Sequence, residues 1–367
     1  MARLDEIDVN FKSDTITAED MQVFNCLSAP FKIHGLYEPY KSERFMRLPA
    51  DFADCEGVTE GVRTLMFHTA GARVRFATDS PYVAIVAEVD FRGQMPHMPA
   101  TGEFGFDMYA ADVSSRKDSM YKKTFVPNGL SAENPRFDGF YEFDDSRMRE
   151  ITINFPLYSA VNKLYIGLKE GCRLEEAQKY TIDKPIVYYG SSVTQGGCAS
   201  RPGTVYTSLI SRWLDADHIN LGFSGSDRGE TALAEYMATI PMSAFVYGYG
   251  YNSPSIEYFA ETYYPFYKIV RDKNPDLPII MMSSPSCIRI RPEALAERMT
   301  KRRAIVMKAY LQALEEGDRN VHFVDGFSLL GTLEAEEATV DQIHPTDHGF
   351  YYMAKTLYPV LKSIIKK

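Results

Sequence analysis

Two textures divide the apolar positions of this chain. Between about residues 31 and 170 they form short runs separated by Gly, Pro, Asn and Asp. Residues 72–76 (Ala-Arg-Val-Arg-Phe) alternate, and residues 83–89 form an apolar, β-branched run. Both predict strands, with Asp79-Ser80-Pro81 as the turn between them. Further strands are predicted at 105–110, 122–126, 141–143, 149–155 and 164–168. No long helical period separates them, which predicts a sandwich or jelly roll. The first 30 or so residues carry mixed charge and read as an irregular lead-in.

From about residue 179 apolar runs alternate with longer stretches of helical period. Strands are predicted at 186–189, 218–221, 244–249, 279–283 and 321–324. Helices are predicted near 204–215, 229–238, 255–273, 293–316 and 347–365, with Pro292 placed to open the fourth. This alternation predicts a parallel sheet covered on both faces. Residues 170–177 read as a linker. We therefore expect an all-β domain over 1–178 and an α/β domain over 179–367, each long enough to bury a core.

Charge and cysteine usage narrow the setting. A formal net charge of -9 offers no basic field for phosphates, so no nucleic-acid partner is expected. No apolar run reaches membrane-spanning length, so no membrane partner is expected. The N-terminus begins Met-Ala-Arg-Leu-Asp-Glu-Ile-Asp and lacks a secretory pattern. The five cysteines are odd in number and scattered without a Cys-x-x-Cys pair, which predicts neither a disulfide framework nor a zinc site. A reduced, cytoplasmic setting is the expectation. The 24 Tyr and 22 Phe suit strands and sugar-lining surfaces alike.

Four short blocks carry chemistry. In the first, Pro185-Ile-Val-Tyr-Tyr breaks into Gly190-Ser191-Ser192-Val193-Thr194-Gln195-Gly196-Gly197. Loops beyond the carboxyl ends of such strands hold ligands, and two serines there are candidate nucleophiles. Neither the Gly-x-Ser-x-Gly elbow nor a phosphate-cradling Gly-Lys-Ser/Thr is present. The second block, Asn220-Leu-Gly-Phe-Ser-Gly225-Ser, offers glycine N–H groups that can approach a ligand oxygen. The third, Tyr249-Gly-Tyr-Asn252-Ser-Pro, offers an amide donor, although Asn-Ser-Pro also suits a helix cap. In the fourth, Asp341-Gln-Ile-His344-Pro, the carboxylate can fix the imidazole tautomer while the other ring nitrogen faces a serine. Elsewhere, His348 reads as a helix-start residue and Arg201 lies within reach of the rim of such a site. The basic run 298–303 reads as a solvated helix face.

In their order and strand-end placement these blocks resemble the SGNH (GDSL-type) hydrolases. Ser192 falls on the family's nucleophile, Gly225 on its glycine, Asn252 on its asparagine, and Asp341 and His344 on its Asp-x-x-His block. Ser191 stands where the family usually has Asp, and Ser253 where Asp often follows the Asn. Residues 105–109 (Gly-Phe-Asp-Met-Tyr) resemble the Gly-x-Asp-Leu-Tyr motif of a β domain that precedes some SGNH-type esterases, Met108 replacing Leu.

The resemblance implies a flavodoxin-like α/β domain preceded by a jelly-roll-like β-sandwich. It also implies a serine esterase. Ser192 would attack, His344 would act as general base, and Asp341 would orient it. The N–H groups of Ser192 and Gly225 and the Asn252 side chain would form the oxyanion hole, with no metal or organic cofactor. The implied substrate is a small-molecule or oligosaccharide ester carrying a small acyl group, above all acetyl on a carbohydrate. Two readings compete: an acyltransferase with the same triad, and a non-catalytic carbohydrate-binding protein. The competent residues in all four blocks weigh against the latter. A phospholipid or thioester substrate is a third alternative.

Overall fold

The computed structural model describes residues 16, 18–42, 44–114, 119–286, 292–331 and 335–365. Half of the expected irregular lead-in, residues 1–15 and 17, lies outside them. The rest of it departs from expectation. The first element is a strand, β1 (Met21–Asn25), which pairs antiparallel with β9 (Val161–Lys169) along the edge of a sheet.

The β-rich part continues with β2 (Lys32–His34), α1 (Glu60–Leu65), β3 (Arg73–Thr78), β4 (Tyr82–Val89) and a helical turn, α2 (Ala100–Glu103). Then follow β5 (Phe106–Asp112), β6 (Met120–Phe125), β7 (Arg136–Glu142), β8 (Arg149–Asn154), β9 and β10 (Leu174–Glu175). One antiparallel sheet has the order β1-β9-β4-β7. The other has the order β10-β3-β8-β5-β6, with β2 paired to β3. Val74, Phe76, Ile85, Phe106, Phe137, Ile153 and Ile166 meet in the core between them. The alternation of β3 does not give it a solvated face. Its outward Arg73 and Arg75 are buried as well. Arg73 donates to the Tyr180 hydroxyl (2.7 Å), to the His218 carbonyl (3.1 Å) and to Asp217. The polar face of this strand is the seam with the α/β part.

The α/β part comprises β11 (Ile182–Gly190), α3 (Ser192–Gln195), α4 (Tyr206–Leu214), β12 (Ala216–Gly222), α5 (Thr231–Met237) and β13 (Ala244–Gly248). It continues with α6 (Ile256–Lys273), β14 (Ile279–Met282), α7 (Glu293–Glu315), β15 (Val321–Val324) and α8 (Asp347–Ile364). The sheet is parallel, in the order β12-β11-β13-β14-β15. This is the flavodoxin-like order, whose reversal point lies between the first and third strands, here β11 and β13. Side chains alternate between two cores. Val187, Tyr189, Phe245, Tyr247, Ile279 and Met281 face α6 and α7, while Ile186, Tyr188, Val246, Ile280 and Met282 face α4 and α8. No helix among the described residues is long and apolar enough to cross a membrane.

One stretch of the N-terminal region crosses over. Met46, Leu48, Phe52, Val58, Val62 and Met66 pack into the core on the α6–α7 side rather than into the sandwich. Arg47, buried within this stretch, donates to the carbonyls of Asn220 (3.0 Å), Gly222 (2.6 Å) and Leu65 (2.7 Å). It thereby holds the end of β12. With no carboxylate in this set, three carbonyl dipoles solvate the cation, and desolvation draws its pKa down to about 9.

Candidate active site

Each strand of the central pair and its neighbour ends on glycine at the same level, Gly190 opposite both Gly222 and Gly248. The three loops that follow therefore leave the sheet side by side. The first turns at once into α3, and Ser191 caps it by accepting the Val193 N–H (3.2 Å). A serine thus does the capping where the family's usual Asp would stand. Ser192 is the first helical residue, and its carbonyl accepts the Gly196 and Gly197 N–H groups (2.9 and 2.8 Å), closing the turn tightly. From β12, Asn220 Nδ2 donates to the Thr194 carbonyl (2.6 Å), and Gln195 Oε1 accepts the Ser224 N–H (2.9 Å). No Cβ fits at Gly222, where it would stand 2.2 Å from the Gln195 nitrogen. The α3 turn that carries Ser192 is therefore seated directly on the end of β12.

Asp341 and His344 lie in the loop before α8. Asp341 Oδ1 accepts the N–H groups of Ile343 (3.0 Å) and His344 (2.7 Å), which fixes the loop. Its Oδ2 lies 2.7 Å from His344 Nδ1, and His344 Nε2 lies 2.9 Å from Ser192 Oγ. With a carboxylate on one side, the tautomer that satisfies both contacts has Nδ1–H donating to Asp341 and Nε2 accepting the Ser192 hydroxyl. Partial burial alone would raise the Asp341 carboxyl. The hydrogen bonds from His344 and the charge of its ring outweigh that and hold it below its ordinary value. At the start of α8, Asp347 accepts from the Ser200 N–H (2.9 Å), the Ser200 hydroxyl and the Thr204 hydroxyl (2.7 Å). This ties the histidine's helix to the chain just past α3.

The other two expected residues sit in the flanking loops. Gly225 has φ +68°, a left-handed conformation, and a Cβ there would meet nothing within 4 Å. The glycine serves backbone geometry on an open side. Asn252 does not cap a helix; Ser255 caps α6. Instead its Nδ2 donates to Asp227 Oδ1, and Asp227 Oδ2 accepts the Gly250 N–H (2.9 Å). Complete burial lifts the Asp227 carboxyl to about 7, against these two donated hydrogen bonds. On its other side the Asn252 loop is held by Arg302, which donates to the Tyr251 carbonyl (2.8 Å), the Ser253 carbonyl (2.8 Å) and the Ser253 hydroxyl (3.0 Å). The basic run is thus not wholly a solvated face: Arg302 is buried, and Arg303 pairs with Asp325. His348 stacks edge-on against Tyr352, its ring centroid 4.8 Å away.

So the structure joins Ser192, His344 and Asp341 in one hydrogen-bonded chain at the sheet's reversal point. It places Gly225 and Asn252 in adjacent loops bridged by Asp227. Residues 183–362 match the family model of the GDSL-like lipase/acylhydrolases, and residues 21–174 match the GxDLY model of the N-terminus of SGNH-type esterases. The chain belongs to the SGNH (GDSL-type) hydrolases. No curated protein sequence matches it. Among solved structures, a candidate GDSL-like lipase from Bacteroides ovatus is 25% identical, with a TM-score of 0.81 over 94% of this chain and 98% of that one. A salicylyl-acyltransferase from a tetracycline biosynthetic pathway is 19% identical, with a TM-score of 0.76 over the same shares. A family two carbohydrate esterase from Cellvibrio japonicus is 13% identical, with a TM-score of 0.60, again over 94% and 98%. At those identities the last two share the fold alone.

Within this SGNH-type hydrolase the Asp of the GxDLY-type domain has a structural task. Asp107 is fully buried and accepts from Asn154 Nδ2, Arg201 Nη1 and the Gly203 N–H, each at 2.8 Å. Arg201 therefore points at the sandwich, where it also bonds the Tyr109 hydroxyl and stacks on Tyr121. The motif clamps the chain that continues from α3.

Proposed function

We propose that this chain is a serine esterase that hydrolyses small acyl esters, acetyl esters of carbohydrates above all. The observation that carries the reading is the Ser192–His344–Asp341 chain, with contacts of 2.9 and 2.7 Å. Ser192 Oγ attacks the ester carbonyl while His344 Nε2 takes its proton. Asp341 keeps Nδ1 protonated and stabilises the imidazolium. The oxyanion is met by the N–H groups of Ser192 and Gly225 and by Asn252 Nδ2, each donor worth about 3 kcal/mol. Asp227 and Arg302 hold Asn252 in place for this. The intermediate collapses, His344 protonates the leaving alcohol, and water resolves the acyl-enzyme by the reverse sequence.

Exposure supports the division between acyl and alcohol sides. Ser192 is 7% exposed, whereas the side chains of His344 and Asp341 are 21% and 36% exposed. An enclosed serine suits a short acyl group, and an open histidine side leaves room for a bulky alcohol such as a sugar. The shared fold with carbohydrate esterases is consistent with this. The division at 178/179 belongs to the same reading, the sandwich acting as an accessory domain that closes over the alcohol side.

Hydrolysis of 4-nitrophenyl acetate, butyrate and octanoate by the wild type and Ser192→Ala tests the proposal. Activity should favour acetate and vanish in the variant, and acetylated sugars should then turn over. Unchanged activity in Ser192→Ala would remove Ser192 as nucleophile. Good turnover of octanoate with none of acetylated sugars would remove the acetyl-sugar substrate. Adding an acceptor alcohol and analysing the products distinguishes hydrolysis from transfer.

A further inference from the structure

Next to the Ser192–His344–Asp341 chain lies a cluster that shares His344 with it and adds two residues, His97 and Cys198, that ester hydrolysis does not use. His97, on the connection between β4 and β5, Cys198, shortly after α3, and His344 each place one ligand atom within 4.8 Å of the others. The His97 and His344 rings stand 5.8 Å apart, centroid to centroid. Cys198 is buried, His344 half-buried and His97 exposed, so the cluster opens to solvent on one side. Cys198 is held with φ +71°, a left-handed conformation for a residue with a side chain. Backbone of that kind persists where its surroundings over-determine it. The preceding Gly197 is pressed close to the imidazole, since a Cβ there would sit 3.1 Å from His344 Cδ2. Three separate segments converge here, which is why the absence of a Cys-x-x-Cys pair gave no warning of it.

We propose that His97, Cys198 and His344 form a binding site for a thiophilic divalent cation of the zinc class, and that its occupancy switches the hydrolase off. One thiolate and two neutral imidazoles are a donor set that selects zinc and softer congeners over magnesium and calcium. His344 Nδ1 is committed to Asp341, so Nε2 is the nitrogen that coordinates. The result is a carboxylate–histidine–metal arrangement, in which the carboxylate orients the ligand. Tetrahedral zinc with bonds of about 2.0–2.3 Å draws its ligand atoms to about 3.5 Å apart. Rotation of the exposed His97 supplies the closure, and water completes the fourth position. On binding, the Cys198 S–H bond breaks, its electron pair enters the metal–sulfur bond, and the proton leaves to solvent. Nε2 is also the atom that takes the Ser192 proton, so cation and nucleophile compete for it. The inhibition rests on His344 being the general base; the site itself does not.

The test separates the two. Co2+ titrated into the purified full-length protein should give a thiolate-to-cobalt absorption band at one equivalent, displaced by Zn2+. The band should vanish in Cys198→Ser and need at least ten times more Co2+ in His97→Ala, a surface change that covers any folding failure of the first variant. In parallel, Zn2+ should slow hydrolysis of 4-nitrophenyl acetate at least ten-fold, reversibly with a chelator. Each variant, measured against its own metal-free rate, should need at least ten times more zinc. A Cys198-dependent band without inhibition would overturn the switch. Inhibition at the same zinc concentration in all three proteins, or no band, would overturn the site. If no protein hydrolysed any ester, the esterase reading would fall while the cobalt band still decided the site.

Discussion

Replacing Asp341 by Asn leaves the loop in place and removes only its charge. The new Oδ1 can still accept the Ile343 and His344 N–H groups, as the carboxylate does at 3.0 and 2.7 Å. What changes is the contact with His344 Nδ1, now 2.7 Å from the carboxylate. An amide N–H in that position forces Nδ1 to accept, which puts the proton on Nε2 and leaves nothing to take the Ser192 proton. The lost attraction to a developing imidazolium is about 4 kcal/mol for charge centres about 4 Å apart at an effective dielectric of about 20. The pair is not sealed from water, with side-chain exposures of 21% and 36%. Solvent screening therefore reduces this to about 2–3 kcal/mol. Adding the tautomer penalty, kcat for 4-nitrophenyl acetate should fall by about 10²–10³-fold, less than the roughly 10⁴-fold loss at a buried triad carboxylate. KM should change little and Tm by no more than a few degrees. Asp341→Ala, which frees both loop N–H groups, should lower Tm further. A fall in kcat below ten-fold in a protein of unchanged Tm would refute the role given to Asp341.

Gly222→Ala should lower both Tm and kcat, because its Cβ meets the Gln195 nitrogen at 2.2 Å and the Thr194 carbonyl carbon at 2.7 Å, backbone that cannot swing aside. We expect a loss of about 1–3 kcal/mol in urea unfolding, and wild-type values in both assays would contradict the seating of the Ser192 turn on β12. The Asp227 carboxyl is raised to about 7 in the folded protein, so the fold keeps that proton after the unfolded chain has lost its own. Its contribution is therefore complete below about pH 4 and declines by about 1.4 kcal/mol per unit as pH rises to about 7. In Asp227→Asn the stability difference between pH 5 and pH 8 should shrink by about 3 kcal/mol; an unaltered difference would show that Asp227 does not titrate in that window. Arg302→Met should cost about 2–4 kcal/mol by stranding the Tyr251 and Ser253 carbonyls, and should reduce kcat more than KM by loosening Asn252. A kcat/KM equal to wild type in the folded fraction would remove Arg302 from the oxyanion hole's support.

The parts that read well from sequence were those whose signal is local. The buried parallel strands carry short continuous apolar runs, ended by glycine in β11 and β13, so β11, β13 and β14 fell where expected, and the three-residue spacing of Asp341 and His344 matches the turn that Asp341 itself builds. The missed features depend on partners far away in the chain. β1 buries little and exists because β9 offers it an edge. Arg302 looks like its basic neighbours until the Asn252 loop is packed against it, and the polar face of β3 looks solvated until the seam forms. Asp227 stands two residues past Gly225, but a buried carboxylate bridging two loops has no pattern of its own. His97 and Cys198 meet His344 only through tertiary structure.

The crossing stretch around Arg47 bears on how this architecture can be taken apart. Its Met46, Leu48, Phe52, Val58, Val62 and Met66 side chains lie in the hydrolase core, each contributing about 2 kcal/mol of burial. Together that is on the order of the whole net stability of a domain, roughly 5–15 kcal/mol. A fragment cut after residue 178 would present the end of β12 with its carbonyls unbound and an apolar face to water. The two halves are thus not interchangeable modules joined by a tether. Burial on this scale couples them, and an insertion or swap that respects the chain's linear boundary would still cut through a shared interior.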